Sequence, residues 1–244
     1  MTALTIIIPV YNEAGNIKTA IDRIETTVYY PHEVHIVYDM DEDTTVPVVQ
    51  LIKDNYKNAI NLVKNKYGRG VLNAIKTGLE EAKTEFVVVT MADLSDPPEV
   101  INAMMEKAKQ EGADLVCASR YMKGGKQYGG PFLKGLFSRV AGVSLHWIAG
   151  IPTHDISNSF KLYRRTMLGA ISMESAGGFE IGMEITVKAF LQGYKIAEVP
   201  TTWTDRAAGA SNFKLWKWLP HYLHWYWLCV KSARMKKPVF KKTK

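Results

Sequence analysis

Up to residue 121 the chain alternates between short, unbroken apolar runs and longer segments with apolar residues at helical spacing, and this alternation constrains the fold more than any other feature. "LTIIIPV" (4–10) is β-branched and apolar throughout, the mark of a strand buried on both faces. "AGNIKTAIDRIETTV" follows, with Ile17, Ala20, Ile21, Ile24 and Val28 along one helical face. "EVHIVYD" (33–39), "NAINLVKN" (58–65), "EFVVVTMAD" and "ADLVCASRY" read as further strands, and "VPVVQLIKDNY", "GRGVLNAIKTGLEEAK" and "PPEVINAMMEKAKQEG" as the helices between them. Strands alternating with helices predict an α/β fold with a mostly parallel central sheet covered on both faces. Ligands of such sheets lie beyond the carboxyl ends of the strands. Each chemically suggestive cluster follows a strand: Tyr11-Asn12-Glu13, Asp39 to Asp43, Gly68 to Gly70, Asp93 to Asp96, and Arg120.

After residue 121 the texture changes. "MKGGKQYGGP" is glycine-rich and is expected to be mobile. "FLKGLFSRVAGVSLHWIAGI" is an apolar, helix-spaced segment carrying Lys134 and Arg139, and "AEVPTTWTDRAAGASNF" reads as a strand followed by a loop. "NFKLWKWLPHYLHWYWLCVKSARMKK" holds four of the six tryptophans. Its polar residues Lys214, Lys217, His221, His224 and Lys231 keep helical spacing, leaving a narrow polar stripe and a wide aromatic face, with a break or kink expected at Pro220. An amphipathic helix lying in the plane of a membrane fits this pattern, with a helix packed on the catalytic domain as the alternative. The boundaries expected are a catalytic domain over 1–211, amphipathic helices over 212–235 and a basic tail over 236–244.

Charge sharpens that division. Seven of the 31 Lys and Arg fall in residues 231–244 with no acid among them, leaving 24 against 24 Asp and Glu in the rest. The basicity is a property of the tail, which argues against a nucleic-acid-binding core and for an anionic membrane surface. No apolar stretch is long enough to span a bilayer, and the four-residue apolar run before Pro9 is too short for a signal peptide. Two cysteines, Cys117 and Cys229, have no zinc or disulfide spacing, so a reducing compartment is expected.

Carboxylates crowded at a strand end repel one another unless a cation lies between them. "MADLSDPPEV" therefore offers Asp93, Ser95 and Asp96 as oxygen ligands for Mg²⁺ or Mn²⁺. The bland reading weighs equally: Asp96 caps the helix opened by Pro97 and Pro98, and Asp93 is a turn residue.

Taken in order, "IIIPVYNEAGNI", the strand ending at Asp39, "GRGVLNAIKTGL", "ADLSDPPEVI", "CASRYMKGG", "DISNSFKLYRR" and "EVPTTWTDRAAGASNF" resemble the inverting glycosyltransferases of family 2. Within that family the likeness is to the polyprenyl-phosphate glycosyltransferases of the dolichyl-phosphate mannose synthase type, over roughly residues 4 to 214. The resemblance implies a GT-A fold, a Rossmann-like sandwich. It implies transfer of a hexose from a nucleotide sugar, GDP-mannose or UDP-glucose, to a polyprenyl phosphate at the cytoplasmic face of a membrane. Pro9, Tyr11, Glu13, Asp39, Gly70 and Asp93 then line the nucleotide-sugar site. Arg120, Lys134 and Ser138 hold the acceptor phosphate, and Arg206 reaches the donor diphosphate. Asp155 and Asn158 lie near the sugar, making Asp93, Arg206, Arg120 and Asp155 the catalytic set. Glu180 and Glu184 flank the sugar region, and His154 reads as structural. The family carries Asp-x-Asp at the fourth strand, whereas Met91 stands at the first of these positions here. Thioether sulfur is a poor ligand for hard cations, so the metal site has one ligand fewer. Weaker metal binding, recruitment of Asp96 and greater reliance on cations such as Arg206 are the three outcomes open, and metal binding retained through Asp93 is the one favoured.

Two other readings share the fold. One uses a saccharide hydroxyl as acceptor and needs a carboxylate base beside it. The other is a non-catalytic nucleotide-sugar or membrane-binding module.

Overall fold

The computed structural model describes residues 2–205 and 215–235. Four strand–helix units open the chain: β1 (Leu4–Val10) and α1 (Ile17–Thr27), β2 (His32–Tyr38) and α2 (Thr45–Ile52), β3 (Ile60–Lys64) and α3 (Val71–Glu81), β4 (Phe86–Val89) and α4 (Val100–Glu111). Then come β5 (Leu115–Ser119), β6 (Lys126–Tyr128), α5 (Phe132–Ala149), β7 (Lys161–Arg164), α6 (Arg165–Gly169), α7 (Ile181–Leu191), β8 (Ile196–Pro200), β9 (Thr202–Thr204) and α8 (Leu215–Met235).

Seven strands form one sheet in the order β3-β2-β1-β4-β7-β5-β8. Every pairing is parallel except those of β7, which runs antiparallel between β4 and β5. Strand β1 shows why the sheet is buried on both faces. Leu4, Ile6, Ile8 and Val10 join α1 and α4 in one core, while Ile7 joins α3 and α7 in the other. The strand order reverses at β1: the chain moves outward through β2 and β3, then returns to place β4 on the opposite side. Such a switch point leaves a crevice at the carboxyl ends of β1 and β4.

Two segments depart from expectation. The glycine-rich run after residue 121 is structured in part, because β6 pairs in parallel with β9 as a small second sheet. The C-terminal segment is one helix through Pro220, without a break into two. Part of its aromatic face turns inward: Trp225 is buried, together with Cys229 and Val230, against Leu145 of α5 and Met183 and Val187 of α7, with Tyr222 and Tyr226 half-buried beside them. The division at residue 212 therefore crosses a shared apolar cluster. Among the described residues, no helix is long and apolar enough to cross a membrane.

Candidate active site

The turns after β1 and β2 lock onto each other. Asn12 takes a left-handed backbone (φ 56°), and its N–H donates to both oxygens of Asp43 at 3.2 and 3.1 Å. Asp43 is fully buried and also accepts from the Thr45 N–H at 2.8 Å, while Thr45 Oγ1 accepts from the Glu13 N–H at 2.9 Å. Asp39 ties in a third loop, accepting from the Gly70 N–H at 2.9 Å and from Asn65 Nδ2 at 2.7 Å. Gly70 has φ 130°, a backbone that only glycine adopts without strain. Pro9, Tyr11, Glu13, Asp39 and Gly70 consequently line one side of a cleft of about 920 Å³.

The acidic turn after β4 lies at the floor of this cleft. Leu94 is also left-handed (φ 56°), and the Ser95 N–H donates to Asp93 Oδ1 at 3.0 Å, closing a tight turn. A strained non-glycine turn here and at Asn12 marks the rim where backbone geometry is over-determined by its surroundings. Asp93, Ser95 and Asp96 all line the cleft. Asp96 does not cap α4. It accepts from Asn158 Nδ2 at 3.2 Å, and burial pushes its carboxyl up to about 6. Met91 is half-buried, packs with the α3 and α7 core, and also lines the cleft close to Asp93 in sequence.

The opposite wall is built around one buried ion pair. Arg120 Nε and Nη2 donate to Asp155 at 2.6 and 2.9 Å, and the Arg120 N–H donates to the same carboxylate at 3.1 Å. Burial alone would raise the Asp155 carboxyl, yet the adjacent guanidinium holds it below the ordinary value, and the pair raises Arg120 in turn. Arg120 Nη2 also donates to Ser138 Oγ at 2.9 Å and Ser157 Oγ at 3.2 Å, and the two serine hydroxyls lie 2.5 Å apart. The Tyr121 hydroxyl is 2.9 Å from Ser138 Oγ and 3.0 Å from Gln127 Oε1, with the Arg120 guanidinium 4.9 Å from its ring. Helix α5, which carries Lys134 and Ser138, reaches the Asp155 loop because Gly142 has no side chain: a Cβ there would meet the His154 carbonyl at 2.1 Å. Arg120, Lys134, Ser138 and Ser157 line the cleft.

Twelve of the residues expected at the site thus share one cavity: Pro9, Tyr11, Glu13, Asp39, Gly70, Asp93, Ser95, Asp96, Arg120, Lys134, Ser138 and Asn158. Asp155 is fully buried behind Arg120 and does not line it. Glu180 and Glu184 are engaged away from it. Glu180 accepts from the Gly177 and Gly178 N–H groups, and Glu184 from the Glu174 and Ser175 N–H groups and Lys188 Nζ. His154 pairs with Glu198 at 2.6 Å and stacks on His146 at 3.9 Å. Arg206 and Lys214 lie outside the described residues. Sequence reasoning missed Tyr121, Ser157 and Asp205, and reached Asp43 only as the end of the acidic cluster that begins at Asp39. Asp205 lines the cleft, and its position in the sequence immediately before an expected cation was the available signal. Nothing local distinguishes Asp43 from its acidic neighbours.

The profile of the family "Glycosyl transferase family 2" matches residues 5–171. The chain belongs to glycosyl transferase family 2. It is 33% identical over 215 residues to dolichol-phosphate mannosyltransferase of Pyrococcus furiosus, covering 86% of this chain and 59% of that protein. It is 27% identical over 213 residues to polyprenol monophosphomannose synthase of Mycolicibacterium smegmatis, covering 85% and 79%. The chain therefore spans under two thirds of the Pyrococcus relative. Glucosyl-3-phosphoglycerate synthase from Mycobacterium tuberculosis, solved with Mn²⁺, UDP and glucosyl-3-phosphoglycerate, superposes with a TM-score of 0.65 at 16% identity, covering 96% of this chain and 80% of that one. The fold of this family 2 member is GT-A, with α8 appended.

Proposed function

We propose that the chain transfers a hexose, with inversion, from GDP-mannose or UDP-glucose to a polyprenyl phosphate. One observation carries this reading: a cleft with carboxylates on its donor side presents, on its other side, an arginine fixed by a buried carboxylate with two serine hydroxyls and Lys134 beside it. That wall suits a phosphate dianion. The relatives' names, a dolichol-phosphate mannosyltransferase and a polyprenol monophosphomannose synthase, point the same way.

A lipid phosphate is already ionised near neutral pH, so its oxygen can attack the anomeric carbon without a base. Asp155 is engaged with Arg120, which disfavours the reading in which an acceptor-side carboxylate deprotonates a sugar hydroxyl. Arg120, Ser138, Ser157 and Lys134 orient the phosphate, and positioning with charge stabilisation supplies most of the rate. Tyr11, Glu13, Asp39 and Gly70 hold the nucleotide end of the donor. Arg206, which follows the cleft residue Asp205, meets its diphosphate.

The oxygen donors present fit a divalent cation. Asp93, Ser95 and Asp96 are hard ligands on one cleft, but among the described residues no three His, Cys, Asp or Glu side chains gather closely enough to cage an ion. Mg²⁺ or Mn²⁺ would be held jointly by Asp93 and the donor diphosphate, with Ser95 and Asp96 in support. The ion would neutralise charge on the leaving diphosphate.

The chain works at the cytoplasmic face of a membrane, attached peripherally. Its two buried free cysteines and its lysine-rich tail support this placement.

A transfer assay tests the reading: labelled GDP-mannose or UDP-glucose, with and without polyprenyl phosphate, in Mn²⁺ or EDTA. Lipid-linked product that requires the phosphate and falls in EDTA is expected, and Asp93→Ala should abolish it while the fold survives. Product with a saccharide acceptor and none with lipid phosphate would overturn the proposal.

A further inference from the structure

We propose that Lys161 is a positioning residue for the acceptor side of the cleft: its buried amino group sets the course of the loop before β7 and so aims Asp155, Ser157 and Asn158 at their partners. Calling this the acceptor side rests on the proposed function; the hold of Lys161 on the loop does not. Residues 151–160 run from α5 to β7 without helix or strand, yet Ile151, Thr153, Asp155, Ile156, Asn158 and Phe160 are buried. A buried irregular segment must find partners for its own backbone polar groups. Several of its N–H groups find side-chain oxygens within the loop. Asp155 N–H donates to Thr153 Oγ1, Asn158 N–H to Asp155 Oδ1 and Phe160 N–H to Asn158 Oδ1, each at 3.2 Å. Two of its carbonyls find Lys161, whose Nζ donates to the Ile156 oxygen at 3.0 Å and to the Asn158 oxygen.

Those two carbonyls bracket residues that face the cleft. With both held by Lys161, Ser157 Oγ lies against Arg120 Nη2 and Ser138 Oγ, and Asn158 Nδ2 reaches Asp96 Oδ1. Ser157 and Asn158 line the cleft, while Asp155 behind them accepts from Arg120 Nε and Nη2. The place of the lysine in the sheet explains its reach. Lys161 opens β7, paired with Val89, the last residue of β4, and with Cys117, three residues before Arg120. It therefore stands where the strand carrying the acidic turn and the strand carrying the arginine both end. Gly182 of α7 closes the other side: a Cβ there would lie 3.8 Å from Lys161 Nζ and from the Asn158 oxygen.

Packing alone does not call for a lysine in this strand. Lys161 is fully buried, so its amino group has given up its hydration. An apolar side chain would fill the space without that loss, but it would leave two buried carbonyls unpaired. The loop could meet that only by turning the carbonyls elsewhere. Turning a carbonyl rotates its peptide plane and swings the neighbouring side chains away from Arg120 and Asp96. The donor role does not depend on charge, because an amine as well as an ammonium has an N–H for each carbonyl.

The test compares three variants of the full chain. Lys161→Met keeps the length and removes the donors, Lys161→Arg restores donors, and Ile21→Ala opens a cavity in the core at α1 as a control for lost stability alone. Labelling arginine with nitrogen-15 gives the first readout, the Nε–H resonance of Arg120, identified by its disappearance in Arg120→Lys. It is expected to shift in Lys161→Met and to stay in place in Ile21→Ala. In transfer to a short-chain prenyl phosphate at saturating donor, kcat/KM for the acceptor should fall about 100-fold in Lys161→Met. The Kd for GDP or UDP with Mn²⁺ should keep its wild-type value, and Lys161→Arg should recover most of the lost transfer. An unmoved Arg120 resonance, wild-type transfer by Lys161→Met, or an equal fall in Ile21→Ala at matched Tm would each overturn the proposal. If Lys161→Met does not fold, Lys161→Arg decides. A shifted Arg120 resonance there sustains the proposal, whereas a wild-type resonance reduces the lysine to a folding role and overturns it. A wild type that transfers nothing to prenyl phosphate, with an Arg120 resonance that still responds to Lys161, would sink the acceptor reading and leave the positioning role intact.

Discussion

Along the donor wall of the cleft, each side chain stands a few residues beyond a strand, and neighbouring turns are fastened by carboxylates accepting backbone N–H groups: Asp43 from Asn12 and Thr45, Asp39 from Gly70, Asp93 from Ser95. Along the acceptor wall, Arg120 follows β5, its counter-ion Asp155 comes from a loop 35 residues later, and Ser138 and Lys134 ride on α5 between them. The first wall is a set of local turns held at one rim by a sheet. The second is a single charged knot gathering separate parts of the chain. Damage to the first should stay local, and damage to the second should spread.

The sharpest break is Asp155→Asn. It keeps the shape and leaves the Arg120 guanidinium buried without its counter-charge, which costs about 3–5 kcal/mol. Urea unfolding at neutral pH is expected to show that loss, together with loss of transfer. The pH dependence has a definite sign. The folded Asp155 carboxyl titrates below its ordinary value, so its contribution is complete above the unfolded pKa of about 4 and is lost as pH falls through the lower folded value. The gap between wild type and Asp155→Asn should therefore narrow in acid. A gap independent of pH would mean that the ion pair is not what holds this wall.

On the donor wall, Asp43→Ala removes the acceptor for two N–H groups and is expected to cost about 2 kcal/mol. The effect should fall on donor KM, with acceptor KM unchanged. An equal change in both would show that the walls are coupled. Met91→Asp adds a carboxylate where the family carries one. With nucleoside diphosphate present, Mn²⁺ affinity measured by electron paramagnetic resonance should rise about tenfold. No change would mean that this position does not face the ion.

How much of this was readable follows the same divide. The sheet, the helices of the first half and the donor rim were legible because each depends on a local period and on the rule that strand ends carry the site. Strand β7 was not. "KLYR" is short, antiparallel and begins with Lys161, a fully buried lysine whose ammonium donates to the carbonyls of Ile156 and Asn158. A lysine in a core strand defeats an apolar-run criterion. Asp155 was selected as a site residue, but its place behind Arg120 depends on pairing across the fold, which no spacing reveals. The aromatic face of α8 left two covers open for a similar reason: a helical stripe shows that something covers it, and not whether the cover is lipid or, as for Trp225, α5 and α7.

The smallest change tests whether the acceptor wall depends on order as well as charge. Tyr121→Phe removes one hydroxyl and leaves the ring beneath Arg120. Ser138 Oγ, 2.9 Å from that hydroxyl, keeps Arg120 and Ser157 as partners, so the ion pair survives and stability falls by only about 1 kcal/mol. What is lost is the strut joining Ser138 to Gln127 on β6, and with it the fixed direction of the serine hydroxyl. Acceptor KM is expected to rise a few-fold, with donor KM and the pH profile unmoved. A fall in kcat at constant KM would instead place the hydroxyl in the chemical step. No change in either would reduce Tyr121 to packing, and the acceptor wall to its charged pair.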